Sequence, residues 1–409
     1  MKSIPFWNPL PEYEEIGSEV HTAISRVLSS GTLILGPEVT SFEKSFARFI
    51  GVRYGIGVGN GTDAISIGLR TLDIGRGDEV ITAANTAIPT VAAIMAVGAT
   101  PKLIDVLPDT LLMDPDKLAR AITKRTRAVI PVHLYGQSCD MDAIINIARS
   151  KNIFVVEDCA QATGAEYERK TEKGKRKKVK VGSMGDIATF SFYPTKIIGA
   201  YGDGGMITTN NSTVAKRVRM LRMYGTEGSY IAKIEGGVNS RLDELHAAIL
   251  SVKLTYIKTW IKERQRLAGR YYQGLKSTPI ILPSQPQKSR PFKANNHARL
   301  PAPERTRLQR CSSFGQGYGG QVYHLYVIRT QHRDKLQKHL GNRGIGTAIH
   351  YPVPIHLMPA YTSLGYTKGN FPVAEAACST VLSLPLYPGL TDADQDRVIH
   401  AISSFFTTK

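Results

Sequence analysis

The chain has 409 residues, 42% of them hydrophobic, and a formal charge of +18. No uninterrupted apolar stretch is long enough to span a bilayer, which excludes a membrane-spanning protein. The charge is concentrated in residues 169–180 and 288–310, neither of which carries the interleaved aromatics or fold motif of a nucleic-acid module, so no nucleic-acid partner is expected.

In chain order, the segment from Met1 to Pro9 is broken by prolines and lacks the apolar region of a secretory signal, so a cytoplasmic location is expected. A glycine-rich run, Gly55 to Gly61, leads into a helical pattern through Leu72. Short β-rich runs follow at 78–82, 102–106, 127–134, 153–157, 187–192 and 205–209. Several are apolar on both faces, as strands covered by helices on each side should be. The basic run 169–180 reads as a solvated loop. From Ser240 to about Leu275, apolar residues recur at steps of three and four, which predicts one long amphipathic helix bridging two domains. Beyond it the pattern predicts strands at 321–329 and 381–384 and helices at 331–340 and 391–405. The expected organisation is an α/β fold with a large domain over 1–253 and a smaller α+β domain over 254–409. Residues 283–320 form an atypical basic insert without sustained period, expected to be flexible. Cys139, Cys159, Cys311 and Cys378 have neither disulfide nor zinc spacing, so no metal site is expected.

Chemistry concentrates at the ends of the apolar runs. In an open α/β sheet, ligands bind beyond the carboxyl ends of the strands, where Asp158 and Gln161 fall. Asp158 alone would also suit a helix N-cap. Lys196 follows the run ending near Phe192, and a lysine between two apolar stretches loses pKa and gains nucleophilicity. Together these are what a pyridoxal phosphate enzyme needs: an amine to hold the aldehyde and an acid to keep the pyridine nitrogen protonated. Ser191 alternates with Phe190 and Phe192, so it faces away from them. Gly61 and Thr62, at the start of the helical pattern, would cradle a phosphate. The glycine spacing fails as a dinucleotide fingerprint, and close packing is the alternative reading.

The ordered motifs Asn60-Gly61-Thr62-Asp63-Ala64, Val132-His133-Leu134-Tyr135-Gly136, Glu157-Asp158-Cys159-Ala160-Gln161, Phe190 to Lys196, Asn239 to Glu244 and His350 to His356 resemble those of the DegT/StrS-type sugar aminotransferases, from about residue 5 to 280 and again from 321 to 405. The resemblance implies a fold type I, pyridoxal 5'-phosphate-dependent homodimer whose active sites are shared between subunits. It gives Lys196 the Schiff base, Asp158 the pyridine nitrogen, and Gln161 the phenolic oxygen. Gly61, Thr62 and Ser191 would hold the phosphate, with Asn239 reaching it from the other subunit. His350, Tyr351 and His356 would lie near the substrate. The implied substrates are an amino-acid donor, usually glutamate, and a keto-sugar on a nucleoside diphosphate. Two positions depart from the common pattern: Thr163 replaces a histidine, and Ala87 replaces an aromatic. The variant Ala87-Ile88-Pro89-Thr90 resembles the branch acting at C-3 of dTDP-3-keto-6-deoxyhexoses. The competing readings are a cofactor-dependent sugar dehydratase, against which Lys196 counts because those relatives carry histidine there, and a non-catalytic regulatory protein.

Overall fold

The computed structural model describes residues 3–170, 176–228, 230–283 and 320–407. The insert expected at 283–320 lies almost wholly outside them, as does Cys311. The helices are α1 (Leu10–Ser30), α2 (Pro37–Ile50), α3 (Gly61–Thr71), α4 (Ile88–Ala96), α5 (Pro115–Ala121), α6 (Met141–Ser150), α7 (Ser212–Leu221), α8 (Glu244–Leu275), α9 (Arg333–Gly341), α10 (Pro372–Thr380) and α11 (Asp392–Thr407). The strands are β1 (Tyr54–Val58), β2 (Glu79–Ala83), β3 (Thr100–Ile104), β4 (Thr126–Ile130), β5 (Phe154–Asp158), β6 (Glu166–Lys170), β7 (Arg176–Lys180), β8 (Ile187–Ser191), β9 (Gly205–Thr209), β10 (Tyr326–Arg329) and β11 (Val381–Leu384).

Seven strands build the central sheet in the order β1-β9-β8-β5-β4-β2-β3. Pairing is parallel from β3 through β2, β4 and β5 to β8, while β9 runs antiparallel between β8 and β1. Reversing direction twice brings β1 back parallel to β8. The carboxyl ends of β1, β2, β5 and β8 therefore open on one edge, where such sheets bind ligands. The strands read as apolar runs because helices cover both faces. On one face Phe42 and Phe46 of α2 meet Phe190 and Phe192, with Phe46 edge-on to Phe190 at a centroid distance of 5.0 Å.

Helix α8 joins the two cores. Its first turns place Ala247 and Leu250 in the large-domain core, and Leu267, Tyr271 and Leu275 pack in the second with Tyr326, Leu336 and Leu384. At 1.5 Å per residue its 32 residues reach about 48 Å. The buried Arg264 guanidinium donates to the carbonyls of Tyr323, His324 and Leu386, which ties the second domain to the helix. The first described residues also cross over: Ile4 packs in the second core and hydrogen-bonds to Gly344 and Gly346.

Three elements differ from the sequence reading. The long helix starts at Glu244, because the Asp243 carboxylate caps it by accepting from the His246 N–H at 2.7 Å. Residues 321–325 stay outside the ladder, since Tyr323 turns to a left-handed φ of 49° and only Tyr326–Arg329 pair with β11. The basic run read as a solvated loop supplies a strand: β7 pairs antiparallel with β6, setting Lys180 opposite Glu166 and Lys178 opposite Glu168. Arg169 and Lys177 also stand opposite one another, and the ion pairs of Glu168 with Arg176 and Glu166 with Lys178 offset part of that crowding.

Candidate active site

The carboxyl edge of the sheet brings the expected residues together. Asp158 is the last residue of β5, and its backbone is fixed on both sides: its N–H donates to the Pro131 carbonyl and its carbonyl accepts from His133. Ser191 ends β8. At the end of β1 the chain turns into α3, which Asn60 caps by accepting from the Asp63 N–H at 2.8 Å. That cap leaves the first amides of the helix, Gly61 and Thr62, facing the edge as an anion site. A side chain at Gly61 would bring Cβ to 2.7 Å from the Ser191 Cβ, so only glycine lets these two phosphate candidates approach so closely.

Lys196 sits in the turn after β8, partly exposed to the cleft and otherwise surrounded by protein. Burial lowers its amine to about 8, against a partial counter-effect from the Asp158 charge. The two groups feel one another's charge but form no ion pair among the described residues. Asp158 is buried, and burial raises its carboxyl; the Ala160 N–H, at 3.1 Å from Oδ1, and the Thr90 hydroxyl, at 2.9 Å from Oδ2, work against that rise. Only these two donors reach its carboxylate among the described residues, so acceptor capacity remains on the cleft side.

Gln161 links three elements. Its Oε1 accepts from the Tyr135 N–H at 2.8 Å, and its Nε2 donates to the Tyr351 hydroxyl at 3.0 Å. Tyr135, held at a left-handed φ of 60°, donates its hydroxyl to the His350 carbonyl. Two residues expected near the substrate, His350 and Tyr351, are thereby held at the sheet edge. The His350 Nδ1 lies 2.9 Å from Ser383 Oγ, and burial beside Lys196 depresses the imidazole to about 4. Burial pushes the Tyr351 phenol up to about 12. His356 goes elsewhere: its Nε2 pairs with Glu375 at 2.9 Å and its ring stands edge-on to Phe371, and no contact joins it to Lys196, Asp158 or Gln161 among the described residues. Asn239, opposite Met223 in an isolated bridge, is exposed on the single chain.

Sequence reasoning missed Thr90, Tyr135 and His324. His324 is buried, its Nδ1 has no partner, and burial with the nearby Lys196, Arg264 and His350 holds it well below the ordinary imidazole range. Its one available signal was a polar residue inside an apolar run. Behind the site, ligand-type atoms of His133, Glu157 and Cys159 gather within 4.8 Å of one another, all buried. Their bonding is already committed. The His133 Nδ1 accepts from the Cys139 N–H, its Nε2 faces Glu157 at 3.1 Å, and Glu157 also accepts from Gly182, Met184 and Gly185. The cluster is a structural network.

A lysine and a buried carboxylate coupled at the carboxyl edge of a mostly parallel sheet, together with a capped helix N-terminus at that edge, fit a fold type I pyridoxal phosphate enzyme. The DegT/DnrJ/EryC1/StrS aminotransferase family matches residues 14–403, and the chain belongs to that family. Fold class and aminotransferase activity were both expected from the motifs. The dTDP-3-amino-3,6-dideoxy-alpha-D-galactopyranose transaminase of Aneurinibacillus thermoaerophilus is 42% identical over 387 residues, 95% of each chain. The pleiotropic regulatory protein of Geobacillus stearothermophilus is 39% identical over 404 residues, 99% of each chain. The crystal structure of S. venezuelae DesV in complex with a ketimine intermediate superposes with a TM-score of 0.88 at 39% identity, covering all of both chains. No described helix is long and apolar enough to cross a membrane.

Proposed function

We propose that the chain moves an amino group from an amino acid, glutamate first, to a nucleoside-diphosphate-linked keto-sugar, at C-3 of a dTDP-3-keto-6-deoxyhexose. The observation that supports this reading is the coupling of the Lys196 amine to the Asp158 charge without an ion pair, at the carboxyl edge of the sheet that also carries Gln161 and the start of α3. The transaminase relative from A. thermoaerophilus, named for a 3-amino-3,6-dideoxy sugar nucleotide, supports the choice of C-3. The relative named as a regulatory protein supports a non-catalytic alternative, but a regulator has no need of an amine tuned to about 8.

Bound in the cleft, pyridoxal phosphate supplies an aldehyde that accepts an amino group and a ring that stabilises a carbanion. Gly61, Thr62 and Ser191 would hold the phosphate, Asp158 would pair with the ring nitrogen, and Gln161 would offer its amide to the phenolic oxygen. The Lys196 Nζ, neutral at the alkaline side of pH 8, would hold the aldehyde and, once the donor displaced it, would take the proton from the donor's α-carbon and deliver it to the former aldehyde carbon. His350 and His324 stay neutral at pH 7, so neither adds a cation beside that amine.

The enzyme works as a homodimer with Asn239 completing the phosphate site of a second copy. Ile34 bridges to Asp243, four residues past Asn239, and Leu33, Ile34, Tyr224 and Tyr230 leave apolar surface exposed there, as an interface would. The decisive experiment incubates the purified protein with pyridoxal phosphate, glutamate and a panel of keto-sugar nucleotides and detects the aminated sugar by mass. Product from a 3-keto sugar with wild type and none with Lys196→Ala supports the reading. Equal product from both overturns it.

A further inference from the structure

We infer that Thr90, with Thr86 behind it, is the positioning residue that aims the Asp158 carboxylate at the cofactor ring nitrogen. This rests on the reading of Asp158 given above. The Thr90 hydroxyl lies 2.9 Å from Asp158 Oδ2 and 3.1 Å from the Thr86 hydroxyl, and all three residues are buried. A threonine hydroxyl has one proton to give. An ionised carboxylate can only accept, so the Thr90 proton points at Oδ2 and the Thr86 hydroxyl must donate to Thr90. The chain therefore runs in one direction, Thr86 to Thr90 to Asp158.

Local structure explains why a threonine is there. Ala87 is the N-cap of α4 and Pro89 lies in the helix's first turn, where a missing N–H costs nothing. Thr90 follows in that same turn, facing β5, so the positive end of the helix also lies toward the carboxylate. Among the described residues Asp158 has one other donor, the Ala160 N–H on Oδ1. With Oδ1 tied by the backbone and Oδ2 by Thr90, the carboxylate is held in one rotation. Hydrogen bonds to a charged acceptor are the strong ones, and this acceptor has few.

The test uses holoenzyme reconstituted with pyridoxal phosphate labelled with nitrogen-15 in the ring. Thr90→Val keeps the side-chain shape and removes the hydroxyl, whereas Thr90→Ser keeps the hydroxyl. In Thr90→Val the ring-nitrogen resonance should move from its protonated position toward the unprotonated one, and amino transfer from glutamate should slow roughly ten- to hundredfold, the worth of one hydrogen bond to a charged group. Thr90→Ser should restore the resonance and most of the rate, a rescue that a merely structural role would not require. If Thr90→Val does not fold, Thr86→Val decides: a smaller shift in the same direction supports the inference, and no shift overturns it. A cofactor-loaded Thr90→Val with unchanged resonance and rate overturns this inference alone. Wild type that takes up no pyridoxal phosphate would overturn the aminotransferase reading with it.

Discussion

The end of β5 presents two consecutive carboxylates to two different environments. Glu157 points into the packed face behind the sheet, where His133 and the amides of Gly182, Met184 and Gly185 surround it. Asp158 points to the cleft with two donors. Both are buried, and burial works against the charge of each, yet the outcomes are opposite: His133 and the backbone donors hold Glu157 below the usual carboxylate range, while Asp158 rises above it. Alternation along a strand separates the two faces, and donor count separates their energetics. A carboxylate saturated by its own protein stabilises the fold. One left partly unsatisfied is available to a ligand.

Lys196 tests the cleft side most severely. Lys196→Ala should abolish amino transfer, by at least about ten-thousandfold, because it removes both the anchor and the proton carrier. Initial rates with glutamate check this, and unfolding in urea should be little changed or slightly more difficult, since the chain no longer shelters an amine in a dry site.

The two carboxylates can then be set against one another. Removing one partner of a buried charged network leaves the other stranded, at a cost of about 3–5 kcal/mol. Glu157→Gln should therefore lower the unfolding free energy by roughly that amount. Asp158→Asn should unfold within about 1 kcal/mol of wild type while losing activity by about a hundredfold or more. Urea titrations and rates on the same preparations check both halves. An Asp158→Asn protein that is as destabilised as Glu157→Gln, with activity intact, would erase the distinction. The sign for pH follows from the direction of the shift: a depressed Glu157 contributes stability that is present at neutral pH and is lost as pH falls through its folded pKa.

A smaller effect is expected where the small domain closes on this edge. Tyr351→Phe removes the hydroxyl that accepts from Gln161, a loss of about 1 kcal/mol. It should weaken cofactor retention only a few-fold, as read by equilibrium dialysis.

What the sequence made legible follows from how local each signal is. Asp158 and Lys196 stood out because each follows an apolar run by a few residues, and the sheet topology needed only that run to be a strand. The Thr90 contact spans 68 residues and the Tyr351 contact 190, and neither leaves a local pattern. The hairpin of β6 and β7 was hidden by its charge, since a run of bases looks like a loop until the pairing of Glu166 and Glu168 with Lys178 and Arg176 is known. The motif containing His356 sits where expected in the chain, yet a glutamate on the next helix claims the imidazole. Periodicity reports which face is buried, and it does not report which partner a polar group finds there.

The free amine gives the finest test of the two-faced strand. With Lys196 at about 8, the neutral fraction rises roughly tenfold between pH 7 and pH 9 and then levels, whereas an ordinary lysine near 10.5 would rise about a hundredfold over the same interval without levelling. Capture of pyridoxal phosphate by apoprotein, followed by stopped-flow absorbance, should trace that plateau. The Asp158 charge props the amine up, so Asp158→Asn should move the inflection to lower pH, because the neutral amine is then favoured further. Glu157→Gln, one residue away but on the opposite face and already neutralised by its own donors, should leave the inflection in place. If both substitutions moved it equally, the cleft would be reading the total charge of the strand end, and the separation of its two faces would carry no chemistry.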